Sequence, residues 1–123
     1  VPDLAARLSL PASRKADLLD ICHRSFIALQ HREAQFFRQR LHPRDHWRAY
    51  QAFRDDAGFL DIETDGGSEC DNITVVGLLH RGRLYQFVRG DNLLDLPDAL
   101  EEVKLLVTFF GTGFDVPVLK RAF

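Results

Sequence analysis

Gly58-Phe59-Leu60-Asp61-Ile62-Glu63-Thr64-Asp65-Gly66-Gly67 is the stretch from which the rest of the chain can be read. Apolar and acidic residues alternate from Leu60 to Glu63, which is the period of a β-strand. Asp61 and Glu63 then share one face, and Leu60 and Ile62 the other. Two carboxylates ~5 Å apart repel by roughly 3 kcal/mol at an effective dielectric of about 20. Either water on an edge strand or a divalent cation between the oxygens must offset that repulsion. The pair alone does not choose between them.

The residues that follow extend the strand into a sheet. Asp65 to Asn72 read as a polar loop, and Ile73 to His80 as a second strand. His80-Arg81-Gly82-Arg83 predicts a tight turn, and Leu84 to Arg89 a third strand. Arg81 and Arg83 are read as solvated turn residues rather than phosphate contacts. Asp95-Leu96-Pro97-Asp98 starts a helix within Leu93 to Val103, with Leu96, Leu100 and Val103 facing inward. Leu105 to Phe110 is a continuous apolar run, as expected of a central strand covered on both faces. Gly111-Thr112-Gly113 breaks it, and Asp115 is placed to cap a last helix with Pro117 in its first turn.

A helix between the third and fourth strands permits a crossover that sets the fourth strand parallel to the first. The expected fold is therefore α/β: a three-strand antiparallel meander, a helix, and a fourth strand parallel to the first. This order carries Asp115 toward Asp61 and Glu63. Three converging carboxylates favour the cation over the solvated edge.

Upstream, Pro2 and Pro11 keep residues 1–12 loose, and Ser13 is placed to cap a helix from Arg14 to Leu41, with a break allowed near Glu33. Pro43 starts a second helix, whose Trp47, Tyr50 and Phe53 share one face. Those aromatics are expected to pack against the sheet rather than to stack on nucleic-acid bases. His42 and His46 stand four apart, but Pro43 lies between them and no His-Glu-x-x-His pattern surrounds them, so they are not read as metal ligands. The texture changes near residue 55, which divides a helical segment, residues 1–55, from a strand-rich domain, residues 56–123.

Composition bounds the class. With 46 % hydrophobic and 28 % charged residues, the 123-residue chain reads as one soluble globular domain or part of a larger one. No apolar run is long enough to span a membrane, and no membrane partner is expected. Nothing at the start reads as a signal peptide, and the lack of methionine, position 1 included, suggests a processed chain or a piece of a longer one. Cys22 and Cys70 are too few for a disulfide framework, so reduced thiols in a cytoplasmic protein are expected. Residues 1–55 carry ten Lys/Arg against six Asp/Glu, and residues 56–123 six against twelve, so +4 stands beside −6. A basic front next to an acidic centre suits a protein that holds a polyanion near a metal.

The motifs now in hand resemble those of a known family. Phe59-Leu60-Asp61-Ile62-Glu63-Thr64 resembles the first motif of the DEDD 3′–5′ exonucleases of the ribonuclease H-like superfamily, and Gly111-Thr112-Gly113-Phe114-Asp115-Val116-Pro117 the second. Ile73-Thr74-Val75-Val76-Gly77-Leu78, Leu106-Val107-Thr108-Phe109 and His46-Trp47-Arg48 are similar to its YprB-like branch. The resemblance covers roughly residues 46 to 123. It implies a partial ribonuclease H-like fold and metal-dependent hydrolysis of a nucleic-acid strand from its 3′ end. It also implies that Asp61 bridges two Mg²⁺ or Mn²⁺ ions, that Glu63 binds one and positions the attacking water, and that Asp115 completes the other. Thr64 and Phe114 are implied contacts to the terminal nucleotide.

The chain departs from the pattern at three points. The last family motif, which carries a fourth carboxylate and a Tyr or His base, has no counterpart before Phe123, so an incomplete domain is expected. Phe110 stands where Asn is common, and Asp65 where many relatives have Thr. Without a fifth strand, residues 105–110 form an exposed edge suited to self-association. The alternative from another class is a non-catalytic ribonuclease H-like module that binds nucleic acid or another domain.

Overall fold

The computed structural model of the chain describes residues 10–66, 72–109, 111 and 113–123. Cys70, Phe110, Thr112 and most of the predicted loop before Asn72 lie outside the described residues. The chain divides into two compact units, Val1–Ala52 and Phe53–Phe123.

The first unit is helical. Helix α1 (Ala12–Gln30) begins one residue after Pro11, whose carbonyl accepts from Lys15 N–H at 3.0 Å. Ser13 therefore lies inside the helix rather than at its cap, because Pro11 already supplies the extended residue that opens the ladder. The expected long helix does break near Glu33. Arg32 takes a left-handed conformation, φ 56°, and the Glu33 N–H reaches back to Ala28 O at 2.8 Å, as in a Schellman-type stop. Helix α2 (Ala34–Arg38) follows. Pro43–Ala49 then form a 3-10 helix rather than an α-helix, capped by His42 Nδ1, which accepts from Arg44 N–H. Helix α3 (Tyr50–Phe53) continues from it.

In the second unit, β1 (Ala57–Thr64), β2 (Ile73–His80) and β3 (Arg83–Val88) form the expected antiparallel meander. Arg81 and Gly82, at φ 48° and 74°, make the two-residue turn between β2 and β3, a geometry in which glycine is favoured at the second place. A 3-10 turn (Leu93–Asp95) leads into α4 (Leu96–Glu101), and β4 (Leu105–Thr108) returns parallel to β1. Helix α5 (Asp115–Ala122) ends the chain. The sheet order is β3-β2-β1-β4, the mixed α/β architecture of a partial ribonuclease H-like fold.

Strand β4 lies at the end of the described sheet, the edge expected without a fifth strand, and is half-buried along its length. One expectation is corrected here. Asp115 is the first residue of α5 and is buried, while Phe114 occupies the cap position with no side-chain capping bond. The core explains this. Leu60 and Ile62 of β1 pack with Val76, Leu78 and Leu96, and α5 adds Val118 to that same face. Gly58 allows this closeness: a Cβ there would come 2.9 Å from Val103, which follows α4. Docking Val118 draws the start of α5 inward and the Asp115 side chain with it. Among the described residues, no helix is long and apolar enough to cross a membrane.

Candidate active site

Alternation along β1 sends Asp61 and Glu63 to the face opposite the core, where both are exposed. Asp61 lies opposite Gly77 on β2, and a side chain at Gly77 would meet nothing within 4 Å, so the space beside the Asp61 carboxylate is open. The parallel register of β1 and β4 ends at Leu60 and Thr108, which leaves Asp61 as the first residue of β1 beyond it. The acidic pair thus stands at the carboxyl ends of two adjacent parallel strands, the place where open α/β sheets hold their ligands.

Asp115 reaches this end of the sheet from β4. The Val116 N–H donates to Gly111 O at 2.8 Å and the Val118 N–H to Phe114 O at 3.0 Å, which closes the turn between β4 and α5. Asp115 is 2 % exposed, and its Oδ2 has no hydrogen-bond partner among the described residues. Burial pushes its carboxyl above the usual value of 3.8; its own backbone N–H opposes the shift, and the charge of Asp61 adds to it. The Asp115 carboxyl is therefore within electrostatic reach of Asp61. Glu63 shares the face of Asp61 two residues on. Among the described residues, no group of three or more His, Cys, Asp or Glu side chains is arranged to hold a metal ion.

An orphaned, buried carboxylate oxygen beside a second carboxylate nevertheless fits a hard divalent cation, since both donors are oxygen. Asp65 is less of an added charge than it looked, because Arg89 Nη1 pairs with its Oδ2 at 2.8 Å. Thr64 is half-buried at the end of β1, and Phe114 is exposed just before α5. His42 caps a turn and His46 Nε2 lies 3.2 Å from Leu41 O, so both have structural partners. Arg81 is tied to Asp56 at 3.1 Å and to Glu102 at 2.7 Å. Sequence reasoning passed over Gly77 and Arg89; a glycine inside a β-rich run was the available signal for the first.

The open face continues past the acids as a groove of about 710 Å³, lined by Phe59, Asp61, Gly77, Leu79, Val107 and Phe109 among others. A sheet with one covered face, one open face and acids at the ends of parallel strands is an α/β arrangement suited to holding a ligand at that end. Residues 58–123, more than half of the chain, match the family model of the RNase H superfamily, and the chain belongs to that superfamily. Members of that superfamily are usually hydrolytic nucleases that use divalent metal ions, which suggests nuclease-like work on nucleic acid here. Comparison with curated proteins and with solved structures gives no match.

Proposed function

We propose that residues 56–123 form the catalytic part of a DEDD-type, YprB-like 3′–5′ exonuclease acting in the cytoplasm, with residues 1–55 as its helical N-terminal segment. The observation that carries this reading is the Asp115 carboxylate, buried and unpartnered at Oδ2 where the charge of Asp61 reaches it. Burying such a group without a partner is costly, and a cation shared with Asp61 offsets the cost.

Asp61 would bridge two divalent ions, Glu63 would bind one of them and orient the attacking water, and Asp115 would complete the ligand set of the other. Oxygen donors suit Mg²⁺ or Mn²⁺. When bound, such ions stabilise the charge on the attacking and leaving oxygens of an in-line displacement. Thr64, next in sequence to Glu63, and Phe114, next to Asp115, are assigned to the terminal nucleotide. Arg89 holds Asp65 and so limits the negative charge that a phosphate would meet. Residues 105–110 are assigned to self-association, because an unpaired strand edge is a template for another chain.

The test is to incubate the chain and Mn²⁺ with 3′-labelled single strands of DNA and of RNA. Shortening from the 3′ end is expected for the wild type, with loss in Asp61→Ala and retention in Asp65→Ala. Equal shortening by wild type and Asp61→Ala overturns the assignment. Binding of the strand without shortening in either protein favours the non-catalytic module.

A further inference from the structure

Trp47 is the only tryptophan of the chain, and it is 67 % exposed. An indole left in water at that level is unusual for a residue that ordinarily anchors a core or an interface. The 3-10 geometry accounts for its direction. At three residues per turn, side chains at i and i+3 eclipse one another, so Arg44 and Trp47 share one side of the 3-10 helix about 6 Å apart along the axis, and Tyr50, whose N–H donates to Trp47 O, follows as the first residue of α3. All three are exposed. His46 and Ala49, on the adjoining face, are half-buried instead. Phe53, at the far end of α3, is buried.

The surroundings of these residues are cationic. Between Phe36 and Tyr50 there are four arginines against one acid, a net charge of +3 with histidines neutral. The Arg48 guanidinium lies 4.9 Å from the centre of the Trp47 ring, and Arg40 stands 3.8 Å over Phe36. Among the described residues Arg44 enters no ion pair, while Arg48 is shared with Asp45 at 3.1 Å. Flat π-faces flanked by guanidinium groups are what a single nucleic-acid strand requires: bases stack on the rings, and phosphates pair with the cations. Duplex ends keep their bases stacked on each other and offer exposed rings little.

We propose that Trp47 and Tyr50 form a stacking platform for single-stranded nucleic acid, with Arg40, Arg44 and Arg48 meeting its phosphates. The occupant is chosen by charge complementarity between this segment and a polyanion. The proposal depends on the nuclease reading only for the expectation that nucleic acid is the partner. It adds a binding site outside the acidic centre.

Because the chain has a single indole, its fluorescence reports on this site alone. The 123-residue chain is titrated in EDTA with oligothymidylate or oligouridylate, so that no cleavage accompanies binding. The fluorescence of Trp47 should be quenched, and log affinity should fall against log salt with a slope of about −2 for three phosphate contacts. Anisotropy of a labelled strand should show Trp47→Ala weakening binding by about five- to a hundredfold, with Trp47→Phe retaining most of it. Arg44→Ala should lower the salt slope.

Unchanged affinity in Trp47→Ala overturns the platform, even if Mn²⁺-dependent shortening of strands persists. Quenching as strong with polyglutamate, or with phosphatidylcholine vesicles containing phosphatidylserine, overturns it as well. Quenching by strands together with a complete lack of shortening in Mn²⁺ supports the platform and counts against the exonuclease.

Discussion

On one face of β1, Leu60 and Ile62 are almost fully buried among Val76, Leu78 and Leu96; on the other, Phe59 is 41 % exposed and Asp61 and Glu63 meet solvent. The same eight residues obey two different constraints. The covered face is determined by packing, and any loss of volume there leaves a cavity. The open face is relieved of that constraint, so it can hold like charges side by side and an open space at Gly77. The division teaches that β1 keeps its place in the sheet from one side and offers chemistry from the other. Asp115 joins the two: its helix packs on the covered face through Val118, yet its carboxylate feels the charge of Asp61.

The largest effect should come from crossing that division. Leu60→Ala is expected to destabilise the chain by about 2–5 kcal/mol. Phe59→Ala, one residue away, should cost less, about 1–2 kcal/mol, because two-fifths of that residue is already in water. Urea unfolding of the two variants checks the contrast, and equal losses would erase the distinction between the faces.

A smaller effect is expected at Asp115. Its carboxyl is held above 3.8, so in the absence of divalent ions the folded chain keeps that proton more tightly than the unfolded chain does. At neutral pH the charged group is therefore a cost, which is relieved as pH falls through the raised value and fully gone below about 3.8. Asp115→Asn should then be more stable than wild type at pH 7, with the gap closing toward pH 4. Urea midpoints of both proteins at the two pH values measure this, and a gap that widens on acidification contradicts it.

The smallest effect concerns the β2–β3 turn. Arg81 joins it to Asp56 and Glu102, but the side chain is more than half exposed. Arg81→Ala should cost no more than about 1 kcal/mol and should weaken in its effect as salt rises.

Much of this was legible in the order of residues. Ile73–His80 reads as a strand because β-branched and apolar residues run between turn signals, and it forms over that span. The alternation at Leu60 to Glu63 foretold which side chains are buried, and the helix between β3 and β4 foretold the parallel pairing. The misreadings have local physical causes. Trp47, Tyr50 and Phe53 have a spacing that fits either an α-helix packed inward or a 3-10 column facing outward, and three positions cannot separate periods of 3.6 and 3.0. Leu105 to Phe110 reads as a strand covered on both faces because it is almost continuously apolar, yet coverage depends on packing that no local pattern encodes; Phe109, near its end, is 93 % exposed. Asp115 has the composition of a cap, and only the docking of Val118 turns it into a buried acid.

The central claim is that Asp61 and Asp115 share a cation, and Mn²⁺ binding measured by the resonance signal of the free ion tests it without needing turnover. Wild-type chain should deplete that signal, and Asp61→Asn and Asp115→Asn should each weaken binding by about tenfold or more, no less than the loss of an outer-shell partner costs. Glu101→Gln, at an exposed acid of α4, should bind as wild type does. Equal Mn²⁺ affinity in all four proteins would contradict the account.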